Sequence, residues 1–257
     1  QGISQAKNEI LLFTDADCLP RSQDWISQIT AVIKGKIEIS LGYSGYFSGA
    51  GLLNQVIQFD TVFTGFQYLG FASRKKPYMA VGRNWAIRKS SYPLKYLEQI
   101  ASVTGGDDDL IAQRVSNSKN TAVVIEPSAQ TMSLPAKAWR AFYKQKARHL
   151  SVGPNYSFRS SFCASFFPIT EALIYVLFVL LLIMGSWKIS LMIYGIRSLS
   201  FYIIFRRLGQ KLNSNLSPWA LPWTQLIYPI WYVAVGIRSL ASKQIEWKAE
   251  SSFLIKH

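Results

Sequence analysis

Two regimes of apolar patterning divide the chain. Up to about residue 134 the apolar positions come in short runs broken by polar turns. Residues 10–14, 78–81 and 121–125 read as strands, because four or five largely apolar residues end at Gly, Asp or Pro turns. Residues 25–33, 51–70 and 109–117 carry apolar residues at helical spacing and read as helices. Strands alternating with helices predict an α/β unit in which a sheet is covered by helices.

Beyond residue 160 the runs lengthen. Sixteen uncharged residues separate Glu171 from Lys188, and 26 separate Lys211 from Arg238. A bilayer-spanning helix takes roughly 20 mostly apolar residues. Residues 162–187 meet that length with Glu171 near the start, where its carboxyl reaches headgroups, and 219–237 meet it with tryptophans as interfacial anchors. The run 189–205 has Arg197 at its centre, which is costly in lipid unless it faces protein or water. Two or three transmembrane helices are therefore expected over 161–240, ahead of a basic tail at 241–257. Arg206, Arg207 and Lys211 on one side and Arg238, Lys243 and Lys248 on the other would lie on opposite faces after three full spans. Either a segment re-enters, at Pro222 and Pro229, or the tail violates the positive-inside rule.

Between the two regimes, residues 135–160 form a basic stretch without an acid. Trp139, Phe142 and Tyr143 fall at i, i+3 and i+4 among Lys137, Arg140, Lys144, Lys146 and Arg148. One aromatic face on a cationic helix is the composition of a helix lying in a membrane interface.

Composition narrows the function classes. The net charge is +14, yet charged residues are only 16% and apolar residues 49%, which excludes a disordered basic arm and with it a nucleic-acid partner. Cys18 and Cys163, even with His149 and His257, match neither a disulfide framework nor a zinc spacing, so a reducing compartment is expected. The first apolar run is short and ends in Asp-Ala-Asp, unlike a signal peptide. With Gln1 so close to a strand, the sequence reads as entered midway.

Four groups of residues could carry chemistry. Asp15 and Asp17 end a buried strand, where ligands meet open α/β sheets. Hard carboxylate oxygens there suit Mg²⁺ or Mn²⁺ bridging to a diphosphate, and equally an Asx turn. Asp107, Asp108 and Asp109 follow Gly105 and Gly106 at a helix start; part of that cluster is ordinary capping, but mutual repulsion also raises a carboxyl pKa, as a general base requires. Gln145 and Arg148 share a helix face beside His149, and Arg148 suits a leaving diphosphate or lipid phosphates. Gly82, Arg83, Asn84 and Arg88 form a glycine turn with polar groups able to approach a substrate.

In chain order, TDAD, VGRNWAIRK, GGDDDL and QKARH ahead of apolar helices resemble the family 2 glycosyltransferases, inverting nucleotide-sugar enzymes with cellulose synthase-like and ceramide glucosyltransferase-like members. The resemblance covers about residues 10–150. It implies a partial GT-A (Rossmann-like) catalytic domain at 1–134, N-terminally incomplete because the family's nucleotide-binding strand upstream of the Asp-x-Asp is missing. It implies that Asp15 contacts the ribose or metal shell, that Asp17 ligates Mg²⁺ or Mn²⁺, that Gly82 and Asn84 approach the nucleotide-sugar donor, and that Asp107 is the base. Gln145, Arg148 and His149 would meet the diphosphate and acceptor. Gly106 stands at the family's Glu and His149 at its Trp; the second departure weighs against processive polymer synthesis. The expected partners are a nucleotide-diphosphate-sugar, a lipid-linked or glycan acceptor and membrane lipids. The expected location is a multi-pass integral protein, catalytic domain cytoplasmic, of a bacterial inner membrane. The rival is a non-catalytic membrane protein, a glycan-assembly scaffold or transporter subunit, whose path runs past Arg197 and Glu171.

Overall fold

The computed structural model describes residues 2–241 apart from 102 and 104; from 242 onward the expected basic tail lies outside the described residues. The order of elements is α1 (Gly2–Gln5), β1 (Ile10–Phe13), β2 (Cys18–Pro20), α2 (Trp25–Thr30), β3 (Ile39–Gly42), β4 (Ser44–Tyr46), α3 (Gly51–Ser73), β5 (Trp85–Arg88), α4 (Leu94–Gln99), α5 (Asp107–Val115), β6 (Thr121–Val124), β7 (Thr131–Ser133), α6 (Trp139–Ser151), α7 (Phe158–Ile183), α8 (Trp187–Lys211) and α9 (Leu221–Ala241). The chain is a mixed α/β structure with two small sheets.

The first sheet runs β1-β5-β3-β6, with β5 antiparallel to both neighbours and β6 parallel to β3. The second runs β2-β7-β4, with β7 antiparallel to β2 and parallel to β4. Strands β1, β3 and β6 therefore point the same way, and each chain leaves its C-terminal end to enter the second sheet. The Asp15–Asp17 turn sits at that edge, closed by Cys18 N–H donating to Asp15 O at 3.0 Å. Strand β5 starts from the same edge, so topology alone brings Gly82 beside the acidic turn.

The strand expected at 78–81 is not formed: Tyr78 and Ala80 are buried in the core, but the paired strand is β5, beyond the Gly82 turn. Strands β3 and β4 are buried at every position despite their serines and glycines. Small residues are needed there because neighbours come close. Ser40 Oγ donates to Ile29 O at 2.7 Å, and a Cβ at Gly42 would collide with the Asn84 side chain.

Helix α3 lacks a polar face because it lies between the sheets and the C-terminal helices. Its Phe59 and Phe63 meet Phe205 and Tyr228, which belong to α8 and α9. Asp60, also buried, pairs with Lys146 of α6 at 2.7 Å and accepts from Tyr228 Oη at 2.5 Å. Lys146 is thus not part of a lipid-facing stripe, and Phe142 is buried against Trp231, the ring centroids 4.8 Å apart. The face expected to meet headgroups instead docks α6 on α9. Trp139 stays exposed. At its C-terminus α3 ends in a Schellman motif, Lys76 N–H donating to Phe71 O and Lys75 N–H to Ala72 O, both at 2.9 Å. The left-handed position is filled by Lys75 (φ 62°) rather than glycine, at a cost of about 1 kcal/mol.

Among the described residues, α7 and α8 are long and apolar enough to cross a membrane. The third expected span lies in α9, which is not one of these two, turns Thr224 and Tyr228 inward and runs unbroken through Pro229 instead of re-entering. Arg197 faces protein: it is paired with Glu171 and donates to Gln225 Oε1 at 2.7 Å. Each helical proline frees the carbonyl four residues before it. Ala164 O, freed by Pro168, accepts from Gln67 Nε2 of α3 at 3.2 Å, and Gln225 O, freed by Pro229, accepts from Tyr175 Oη at 2.5 Å. The segment between α8 and α9 is clamped to the sheets, Asn215 Nδ2 donating to Tyr46 O and Arg21 to Asn213 O, each at 3.0 Å.

Candidate functional site

The candidate site lies where the strand ends meet the N-terminus of α5. Gly105 and Gly106 both take left-handed backbone (φ 81° and 71°), which turns the chain into α5. A Cβ at Gly106 would fall 2.6 Å from both methyls of Val152, so the glutamate found there in the resembling family has no room in this chain. The three carboxyls that follow diverge. Asp107 is exposed, Asp108 accepts from the Gly82 N–H, and Asp109 accepts from the Tyr156 hydroxyl. Two of the three are thus committed to binding other segments, and Asp107 is the one left accessible.

Gly82 lies between two acids: a Cβ there would stand 3.1 Å from Asp108 Oδ2 and 3.6 Å from Asp15 Oδ1. Arg148 approaches from α6, its Cγ 3.7 Å from where a Cβ of Gly105 would be. Burial raises the Asp15 pKa, Arg83 opposes the rise, Asp17 adds to it, and Arg148 and Asp107 act from further away. Four segments far apart in sequence thus share one electrostatic environment, acids facing two arginines. Gln145, also on α6, donates to Tyr46 Oη at 3.1 Å, and Arg83 stacks over the Tyr46 ring, 4.5 Å from its centroid. His149 is exposed on α6 but crowded by protein and cations; desolvation first, then Lys146, Arg148 and Arg83, lower its pKa to about 3. The ring is neutral at physiological pH.

Asn84, expected to meet the donor, lies in the interior. It is fully buried, its Nδ2 donating to Tyr43 O and Ala129 O at 2.8 and 2.9 Å and its Oδ1 accepting from Trp25 Nε1 at 3.0 Å. Every strong hydrogen-bonding position is used in joining the two sheets to α2. Its neighbour Arg83, named in the same turn, acts on Asp15 instead, while Tyr46 and Tyr156 are site neighbours that no local pattern had distinguished.

Asp15, Asp17 and Cys18 could offer ligand atoms within 4.8 Å of one another. A hard divalent cation would take the two carboxylates and leave the sulfur, which already lies 3.0 Å from Ser133 Oγ. Two protein carboxylates completed by phosphate oxygens are what Mg²⁺ commonly takes, so these residues fit such an ion. In comparisons with known proteins, the chain matches no family model and no curated protein.

Asp108 is pushed up to about 7, by burial first and Asp107 next, against the pull of the Asp109 and Gly82 N–H groups. Burial, then Asp108, hold Asp109 well above the usual carboxylate range. A carboxyl raised on folding keeps its proton where the unfolded chain has lost it, so its contribution to stability falls as pH rises from about 4 towards 7. His149 runs the opposite way, losing stability as pH falls below its unfolded value. Comparison with Asp108→Asn isolates the carboxyl: in EDTA, the melting temperature of the variant should gain on that of the native protein between pH 5 and pH 8. A difference that stays constant over that range would show that Asp108 does not titrate there.

Proposed function

We propose that the protein is an inverting glycosyltransferase that moves a sugar from a nucleotide-diphosphate-sugar to a hydroxyl on a lipid-linked or membrane-proximal acceptor. The observation that carries this reading is the gathering of Asp15, Gly82, Asp107 and Arg148, from four separate segments, at one place. Acids at a strand edge opposed by arginines suit a diphosphate that needs both a cation and direct charge pairing. Asp15 and Asp17 would hold Mg²⁺ or Mn²⁺, which when bound supplies positive charge to the leaving diphosphate. Arg148 and Arg83 add fixed charge on the same group. Asp107 takes the acceptor hydroxyl proton as that oxygen attacks the anomeric carbon, the bond to the nucleoside diphosphate breaks, and the configuration inverts. His149, neutral and on the rim, offers the acceptor a ring face and a hydrogen bond without adding charge.

An acceptor near lipid follows from connectivity. Helix α6, which carries Gln145, Arg148 and His149, ends seven residues before the exposed apolar helix α7 begins. An integral membrane protein is the matching reading for α7 and α8, whose exposed apolar side chains need lipid. The transporter reading finds less support, since Arg197 is bonded to both Glu171 and Gln225 and the cavity that the three line has a volume of only about 40 Å³. The test is release of nucleoside diphosphate by the protein in membranes, across a panel of sugar donors. Release should need Mg²⁺ or Mn²⁺ and stop with EDTA; no release from any donor with either metal would overturn the proposal.

A further inference from the structure

A second polar cavity opens at the opposite end of α5 from Asp107. It has a volume of about 470 Å³ and lies between the end of α3, the segment after α5 and the start of α7. Lys75, Lys76 and Arg159 line it together with Asn117, Phe71 and Phe162, and no acid does. Among the described residues none of the three cations has an ion-pair partner, unlike Lys146, Arg88 and Arg197, which all do. With α5 nine residues long, roughly 13 Å of helix separates this cavity from the candidate catalytic carboxyl.

The walls are of two kinds. Beside the cations, Phe71 and Phe162 supply apolar surface, and Phe162 shares a helical face with the exposed Phe166, Ile169 and Leu173 of α7. A ligand fitting both would have an anionic head and a long apolar tail. Lys75 adds an independent observation. It occupies the left-handed position of the Schellman motif, where glycine would be free of strain, and it lines this cavity.

We infer that the cavity formed by Lys75, Lys76 and Arg159 binds the phosphate headgroup of an anionic phospholipid, with an acyl chain lying along α7. The inference rests on α7 being embedded in lipid and is independent of the glycosyltransferase reading, so the test uses no activity. Purified full-length protein in a neutral detergent would be melted with phosphatidylglycerol, with phosphatidylcholine or with inorganic phosphate. Phosphatidylglycerol should raise the midpoint by about 5 °C at saturating lipid, and the other two should not. Lys75→Gly should melt at or above the native temperature without lipid, because the strain is relieved, yet gain less from phosphatidylglycerol. The triple variant Lys75→Gly, Lys76→Gln, Arg159→Gln should lose most of the gain. An equal shift with phosphatidylcholine, a full shift retained in the variants, or the same shift with inorganic phosphate would overturn the inference, the last by showing a site for soluble anions.

Discussion

Asp107→Asn is expected to lower sugar transfer by about 100-fold or more while leaving the melting temperature nearly unchanged. The two effects separate because of where the carboxyl stands. Asp107 is exposed, and no partner in another segment depends on it, so a surface change of this kind costs within about 0.5 kcal/mol. Asparagine keeps the shape and the affinity for a helix start but cannot take a proton. A positioned base contributes about 10²- to 10⁴-fold, and that is the loss to be measured in initial rates of transfer. Asp108→Asn should be milder, because its role is to accept the Gly82 N–H and an amide oxygen can do the same. If the ranking is reversed, with Asp107→Asn keeping most of its activity, the proton passes to Asp108 and the assignment of the base is wrong.

Asp60→Ala should destabilise the protein by about 3 kcal/mol or more. The Asp60–Lys146 pair leaves each side chain only 10% exposed, so removing one partner strands a charge among α3, α6 and α9. The double replacement Asp60→Leu, Lys146→Met should recover most of that loss, since an apolar pair of similar volume is often as stable as a buried ion pair. Some loss should remain from the Tyr228 hydroxyl, which would lack its acceptor. Unfolding midpoints in detergent distinguish the cases. Equal losses in single and double variants would mean that packing, not charge burial, sets the cost.

Elements whose cause is local were legible in the sequence. An apolar run ending in acids marked β1 and its turn, run length marked α7, and helical spacing marked most of α3. What escaped depends on partners far along the chain. Serines and glycines in β3 and β4 have the composition of a loop, and only the close approach of Ile29 and Asn84 makes small residues necessary there. Lys146 looked like one more cation in a basic stripe because its partner lies 86 residues away. The site was half legible for the same reason. Asp15, Gly82, Asp107 and Arg148 could be ranked by residue type and order, but Arg83 and Asn84 are adjacent and polar, and only the two-sheet packing decides which of them is spent inside the structure.

The bond from Gln67 to the carbonyl freed by Pro168 also bears on biosynthesis. Ribosomes deliver α3 well before α7, so the amide that α7 needs already exists when that helix emerges. Until the N-terminal unit folds and presents Gln67, the turn of α7 before Pro168 carries a peptide oxygen without its helical partner, which an apolar surrounding would not satisfy. Packing of the apolar hairpin and folding of the N-terminal unit are thereby joined in order, and a chain that misfolds early leaves a polar defect near the start of α7, where quality control can detect it.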